Sequence, residues 1–201
     1  MVMQKRGNTI YCCLANSTEL SATNFIKLSM SIVHYFAYGS NLHPVRLTQR
    51  IPSAQLIGTG KLPGYQLTFQ KRGQDDSGKG HIATAPDETA YVLGAVYQLA
   101  EEHKANLDII EGTGYETTWF EIDVGGNHYS CFAYIGLDSH LDNSLKPYRW
   151  YKSLIVLGAE YHGFPAHYVN GIQQTRAAED PDSRRRKQHE MLLADMLKFQ
   201  K

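Results

Sequence analysis

The chain lacks a cysteine framework, a net charge and any long apolar run, and each lack closes off a class of protein. Cysteine occurs only at Cys12, Cys13 and Cys131. Two adjacent residues and one distant one suit neither a disulfide scaffold nor the paired spacing of a zinc site. We therefore expect no metal and a reducing, cytoplasmic setting. The 20 Lys and Arg match the 20 Asp and Glu, so there is no net basic footprint for nucleic acid. No stretch approaches the ~20 apolar residues that span a bilayer. The opening M-V-M-Q-K-R-G-N-T-I-Y-C-C-L also lacks the apolar segment and cleavage site of a signal peptide, and neither nucleic acid nor membrane is expected as a partner. The basic run R-R-R-K at 184–187 sits on a polar tail of a neutral chain and reads as a solvated helix face.

What is present suits one packed domain: 201 residues, 42% of them apolar, are enough for a single full core. Residues 1–30 are polar and without sustained periodicity, and read as a loosely ordered extension; Met30 would serve as a biological start. From Ser31 to Tyr134 the alternation is mostly that of strands, with a turn at Pro63-Gly64, another around Pro86-Asp87 and a hairpin across G-G-N at 125–127. Within this part, L-H-P-V-R-L-T-Q-R (42–50) is helix-like, and E-E-H-K-A-N-L-D-I-I-E (101–111) has helical spacing and stops at Gly112. After Pro147, R-W-Y-K-S-L-I-V-L-G-A-E-Y predicts a buried helix. A second helix follows near 167–175, and a charged one spans about 183–199. Strands first and helices mainly later indicate an α+β fold, divided as an extension (1–30), a main domain (31–178) and a C-terminal charged helix (179–201).

Three places could carry chemistry. Y-F-A-Y-G-S-N (35–41) is a strand-like run that ends in a glycine, a hydroxyl and an amide before a helical stretch. Main-chain N–H groups in such a bend, helped by Ser40 and Asn41, can hold an anion, although Asn41 can equally cap the helix. Ser40 as a nucleophile, with His34 and His43 near in sequence, lacks the G-x-S-x-G pattern. Glu111 closes a helix beside the stripe of Leu107 and Ile110. Partial burial, the negative helix end and Asp108 would suit it to act as a general base; the alternative is a solvent-facing residue near a cap. Tyr151 shares a helix side with Tyr148 and Ile155, where a tyrosine is either a core ring or an orienting hydroxyl. His162 and His167 straddle a Gly-x-Pro break and do not make a helical metal pair.

In this order the blocks resemble the γ-glutamylcyclotransferase family: Y-F-A-Y-G-S-N-L at 35–42, L-D-x-x-E-G at 107–112 and Y-K-x-L-I-x-x-G-A-x-x-x-G-x-P-x-x-Y at 151–168. I-P-S-A, L-P-G-Y-Q-L-T-F and V-L-G-A-V-Y-Q-L between them add to the likeness, which runs from about residue 33 to 172. The resemblance implies a small mixed, mostly antiparallel β-barrel surrounded by helices. It also implies an intramolecular acyl transfer that turns a γ-glutamyl compound into 5-oxoproline and a free amine, with no metal or organic cofactor. By position, Tyr35, Phe36, Ala37, Tyr38, Gly39 and Ser40 would line the substrate site with Asn41 beside them. Glu111 would accept the proton and Tyr151 would touch substrate. The partner expected is a small γ-glutamyl molecule, with a homodimer left open. Two other readings stand: an idle binding module for an anionic acyl-amino acid, and a cyclotransferase acting on a γ-glutamylamine.

Overall fold

A computed structural model describes the backbone of residues 2–6, 9–13 and 26–27 and the whole of residues 31–199. The chain divides into two compact units, Met1–Ser31 and Ile32–Lys201. In the first, β1 (Val2–Arg6), β2 (Thr9–Cys13) and β3 (Ile26–Lys27) form an antiparallel sheet in that order. The expected loose extension and the start at Met30 fall largely outside the described residues; those described there are paired as strands.

The second unit begins with β4 (Ile32–Ala37), followed by α1 (Pro44–Arg50), β5 (Gln55–Pro63), β6 (Tyr65–Arg72), β7 (Gly78–Thr84) and β8 (Tyr91–Ala100). A 3-10 turn at Glu101–His103 leads into α2 (Lys104–Glu111), then β9 (Tyr115–Val124) and β10 (Asn127–Gly136). Three helices close the chain: α3 (Arg149–Tyr161), α4 (Ala166–Gln174) and α5 (Ser183–Lys198). The main sheet has the order β5-β8-β4-β10-β9. All its pairings are antiparallel except β4 with β10. A second pair, β6 with β7, lies apart from this ladder.

The sheet curls into a half-barrel, and two glycines show why it can. A Cβ on Gly58 would sit 2.5 Å from the Val124 side chain, and one on Gly60 only 2.2 Å from that of Ile122. The two outer strands, β5 and β9, therefore meet because L-I-G-T-G-K-L carries no side chain at those points. This is the mixed, mostly antiparallel barrel surrounded by helices that the sequence led us to expect. Strand alternation then sends the chain's apolar groups to two places. Phe36 packs inside the barrel with Val96, Ile122 and Cys131, while Tyr35 and Ala37 face the core shared with Leu107, Phe132 and Leu154. Cys131 is a free, buried thiol.

The helices place the functional groups. Leu107 of α2 is fully buried and pins that helix to the core. Ile110, expected on the same stripe, is instead 42% exposed. At the end of α2, Gly112 takes φ +77° and its N–H returns to the Asp108 carbonyl; that backbone conformation favours glycine. The basic α5 is not a purely solvated helix. Arg185 turns inward to form a two-pronged bond with buried Asp180, which also accepts the Trp150 indole N–H at 2.8 Å. His189 of α5 stacks on the Trp150 ring with centroids 3.6 Å apart. Among the described residues, no helix is long and apolar enough to cross a membrane.

Candidate active site

The bend after β4, the end of α2 and the start of α3 converge on one place. A small inner recess is lined by Tyr35, Tyr38, Gly39, Ser40, Asn41, Gly80, Glu111, Tyr115, Tyr134 and Tyr151. It holds about 20 Å³, space for roughly one water molecule. It adjoins an outer cavity of about 580 Å³, and Ser40, Glu111, Tyr115 and Tyr151 belong to both. Residues 70 positions apart in the chain, Asn41 and Glu111, touch here.

Asn41 organises the inner wall. Its amide N–H donates to Glu111 Oε1 at 2.9 Å and to the Tyr35 hydroxyl at 3.3 Å. Its Oδ1 accepts from the Arg50 guanidinium at 3.0 Å. Arg50 also lies 3.5 Å from Glu111 Oε1. Glu111 Oε1 is thus held by two donors, while Oε2 enters no hydrogen bond among the described residues. The Glu111 side chain is 18% exposed. The expected neighbour, Asp108, is turned away to the Tyr134 hydroxyl at 2.6 Å and the Lys104 ammonium at 2.8 Å.

The bend itself differs from the expected helix entry. Leu42 N–H closes a turn on the Gly39 carbonyl at 3.0 Å. The helix starts later, at Pro44, and its cap is His43, whose ring accepts the Val45 N–H at 3.2 Å. Asn41 is consequently no cap, because Pro44 at the first helical position fixes the helix start beyond it. The main-chain N–H groups of Ser40 and Asn41 donate to no acceptor among the described residues, which leaves two donors at the recess wall. Gly39 does not have a positive φ, and a Cβ there would meet only the Tyr151 hydroxyl, at 3.8 Å. The space such a methyl would enter is the recess.

Tyr151 projects from the first turn of α3, and its hydroxyl accepts the Gly80 N–H at 2.9 Å. Tyr115 donates to the Gly80 carbonyl at 3.0 Å, and Tyr38 donates to the Tyr134 carbonyl. Burial raises the Tyr151 phenol to about 12. Burial likewise lifts Tyr35, Tyr38, Tyr115 and Tyr134 above the ordinary phenol value. All five therefore remain neutral hydroxyls at physiological pH, and Glu111 is the one carboxylate of the recess.

Of the residues expected from sequence, Tyr35, Tyr38, Gly39, Ser40, Asn41, Glu111 and Tyr151 come together here. Phe36 and Ala37 do not: both are fully buried in the two cores. Phe36 points to the opposite sheet face from Tyr35, and Ala37 has too short a side chain to reach the recess. Ser40 has no histidine partner, since His43 caps α1 and His34 packs edge-on against Tyr129. His162 and His167 point apart, to the Leu42 carbonyl and the Tyr91 hydroxyl. Missed in the sequence were Arg46 and Arg50, Lys71, Tyr115 and Tyr134, and the contribution of Arg185 and His189 from α5. Arg46 and Arg50 carried a readable signal: two like charges four apart on a short helix next to Y-G-S-N.

Comparison with known proteins agrees with this fold. Residues 91–172 match the AIG2-like family. The γ-glutamylcyclotransferase of Bos taurus is 31% identical over 150 residues, covering 69% of this chain and 78% of that protein. The Homo sapiens γ-glutamylcyclotransferase is 30% identical over 149 residues, covering 69% and 76%. A solved γ-glutamyl cyclotransferase superposes with a TM-score of 0.71 at 24% identity, over 82% of this chain and 99% of its own. The crystal structure of an uncharacterized Homo sapiens protein gives 0.69 at 24% identity, over 81% and 98%. The fold and the recess thus define an α+β half-barrel with a single acid facing a main-chain bend. The chain belongs to the γ-glutamylcyclotransferase family, and that membership supports cyclotransferase activity in general.

Proposed function

We propose that the protein converts a γ-glutamyl-amino acid into 5-oxoproline and the free amino acid, with Glu111 as the general base. The observation that carries this reading is the single carboxylate in a recess of neutral tyrosines, a recess also lined by Ser40 and Asn41, whose main-chain N–H groups have no acceptor among the described residues. A γ-glutamyl unit is a zwitterion at neutral pH, with an α-ammonium and an α-carboxylate. Its carboxylate suits the two main-chain donors, and its ammonium suits Glu111. An anion without an ammonium would be repelled by the same acid, which favours the enzyme over an idle anion-binding module.

The steps balance without a cofactor. Glu111 Oε2 takes one proton from the α-ammonium. The freed amine attacks the γ-carbonyl carbon of its own molecule, and a C–N bond closes a five-membered ring. The bent substrate supplies the proximity, since nucleophile and electrophile are already joined. The charge that builds on the carbonyl oxygen is met by the hydroxyls of the recess. The original C–N bond then breaks as protonated Glu111 returns its proton to the departing nitrogen, and the second proton of the ring nitrogen passes by way of the same carboxylate to the released amine, which leaves as an ammonium. Tyr151 and Tyr115, both anchored on Gly80, keep the wall in place while Asn41 and Arg50 hold the acid in position.

The test is direct: incubate the protein with γ-glutamyl-alanine and measure 5-oxoproline, alongside Glu111→Gln. Release by the native chain and its loss in the variant are expected. Turnover unchanged in Glu111→Gln would overturn the assigned base. Saturable binding with no release from any γ-glutamyl donor would instead establish the idle module. A reducing, cytoplasmic setting belongs to the same reading and is supported by the sparse cysteines, two adjacent and one distant, which form no disulfide framework.

A further inference from the structure

Most cations of the outer cavity have a carboxylate of their own. Arg50 meets Glu111, Arg72 meets Asp142, Lys79 meets Asp75 and Arg185 meets Asp180. Arg46 and Lys71 have none among the described residues, although both are more deeply buried. Arg46 is 7% exposed, and its Nε is sealed from solvent without a hydrogen-bond partner. Burial, with the like charge of Arg50 one turn on, lowers its guanidinium to about 10, so it stays cationic at neutral pH. Lys71 is 6% exposed, and its ammonium lies 4.2 Å from the centre of the Tyr115 ring. Glycine at position 114 leaves room for it there: a Cβ would come within 2.9 Å of Nζ.

An unpaired buried charge is costly and persists where something completes it. Both cations line the outer cavity, and neither lines the inner recess. In the proposed reaction the α-carboxylate of the γ-glutamyl unit meets the Ser40 and Asn41 amides at the recess. What projects outward from the scissile bond is the leaving group, and about 580 Å³ is available for it, within the usual range of ligand cavities.

Resting on the cyclotransferase reading above, we propose that Arg46 and Lys71 bind carboxylates of the leaving group. The preferred substrates are then γ-glutamyl compounds that release an amino acid with two carboxylates, ahead of those releasing a neutral amine. Arg46 offers a planar fork suited to two-point carboxylate binding, and Lys71 offers a point charge across the cavity. Neither is a catalytic residue in this scheme; they set specificity.

The full chain should be assayed for 5-oxoproline release from γ-glutamyl-glutamate, γ-glutamyl-alanine and γ-glutamyl-ethylamide, with KM and kcat separated. We expect kcat/KM to fall about tenfold or more for each carboxylate removed, mainly through KM. In Arg46→Gln, and independently in Lys71→Met, the ratio between γ-glutamyl-glutamate and γ-glutamyl-ethylamide should shrink by about tenfold. Equal turnover of the three substrates by the native chain overturns the proposal, whether or not either variant folds. An equal loss on all three in both variants also overturns it, since that places the cations on the shared α-carboxylate. Release from none of the three would remove the cyclotransferase reading itself, and this inference with it.

Discussion

The inner recess and the outer cavity share a wall yet are built from opposite materials. The recess is made of phenols, small residues and main-chain donors around one acid. The cavity beyond it is walled by Arg46, Arg50, Lys71, Arg72, Lys79 and Arg185. In the proposed function, neutral hydroxyls leave the acid as the sole proton acceptor, whereas the cations outside select what approaches it. On that reading reaction and selection are neighbours, and among the described residues only Ser40, Glu111, Tyr115 and Tyr151 line both spaces. Substitutions in the two regions should differ in kind: those inside act on kcat, and those outside act on KM.

Glu111→Gln is the sharpest way to break the distinction. It keeps an oxygen for the Asn41 donor but can take no proton. We expect kcat to fall about 10²- to 10⁴-fold, the usual worth of general acid–base catalysis, with the melting temperature little changed. A variant that lost KM alone would make Glu111 a binding group and erase the contrast. Gly39→Ala comes next. The added methyl meets no atom closer than the Tyr151 hydroxyl at 3.8 Å, so the fold should tolerate it. The methyl would occupy the recess, and kcat/KM should drop about tenfold or more by overpacking against substrate. Activity equal to that of the native chain would show that the γ-glutamyl unit sits elsewhere.

Much of this arrangement was legible from sequence, for definite physical reasons. Period-two alternation placed the strands of the second unit, and Gly112 marked the end of α2 because its positive φ suits glycine. Y-G-S-N, Glu111 and Tyr151 were singled out by residue type and spacing and then joined by family-like blocks, although their side chains meet only in three dimensions. Three things could not be read. Alternation along β4 sends Phe36 away from the site, yet a block match assigns neighbours together. The partner of a basic residue is invisible in one dimension: Arg185 looks solvated until Asp180 is found beneath it, and Arg46 looks ordinary until no carboxylate is found beside it among the described residues. The cap of α1 moved from Asn41 to His43 because Pro44 determines where the helix can begin.

Tyr151→Phe should have a smaller effect and tests whether the shared wall is structural or reactive. The ring remains, but the Gly80 N–H loses its acceptor, a loss of roughly 1–3 kcal/mol for a buried donor. The melting temperature should fall, and kcat/KM should decline by about tenfold through a displaced wall. A fall in kcat as large as that of Glu111→Gln would instead give the hydroxyl a direct part in proton transfer.

The mildest effect should come from pH, acting on the anchor of α5 that brings Arg185 and His189 to the outer cavity. Asp180 is buried, and the Arg185 guanidinium holds its carboxyl down at about 2, against 3.8 for the free side chain. A carboxylate lowered in the folded state binds its proton less readily there than in the unfolded chain, so it stabilises the fold above the unfolded value. That contribution, roughly 2 kcal/mol, is fully present above about pH 4 and is lost as pH falls towards 2. Protection factors across 183–198, taken against the intrinsic exchange rate at each pH, should therefore fall between about pH 4 and pH 2, with α5 opening before the β4–β8–β10 core. The recess hydroxyls are neutral throughout that range and supply no comparable change. Simultaneous opening of both regions would mean that the Asp180–Arg185 pair stabilises the whole unit, and the separation between an inner reacting space and an outer selecting one would not extend to their stability.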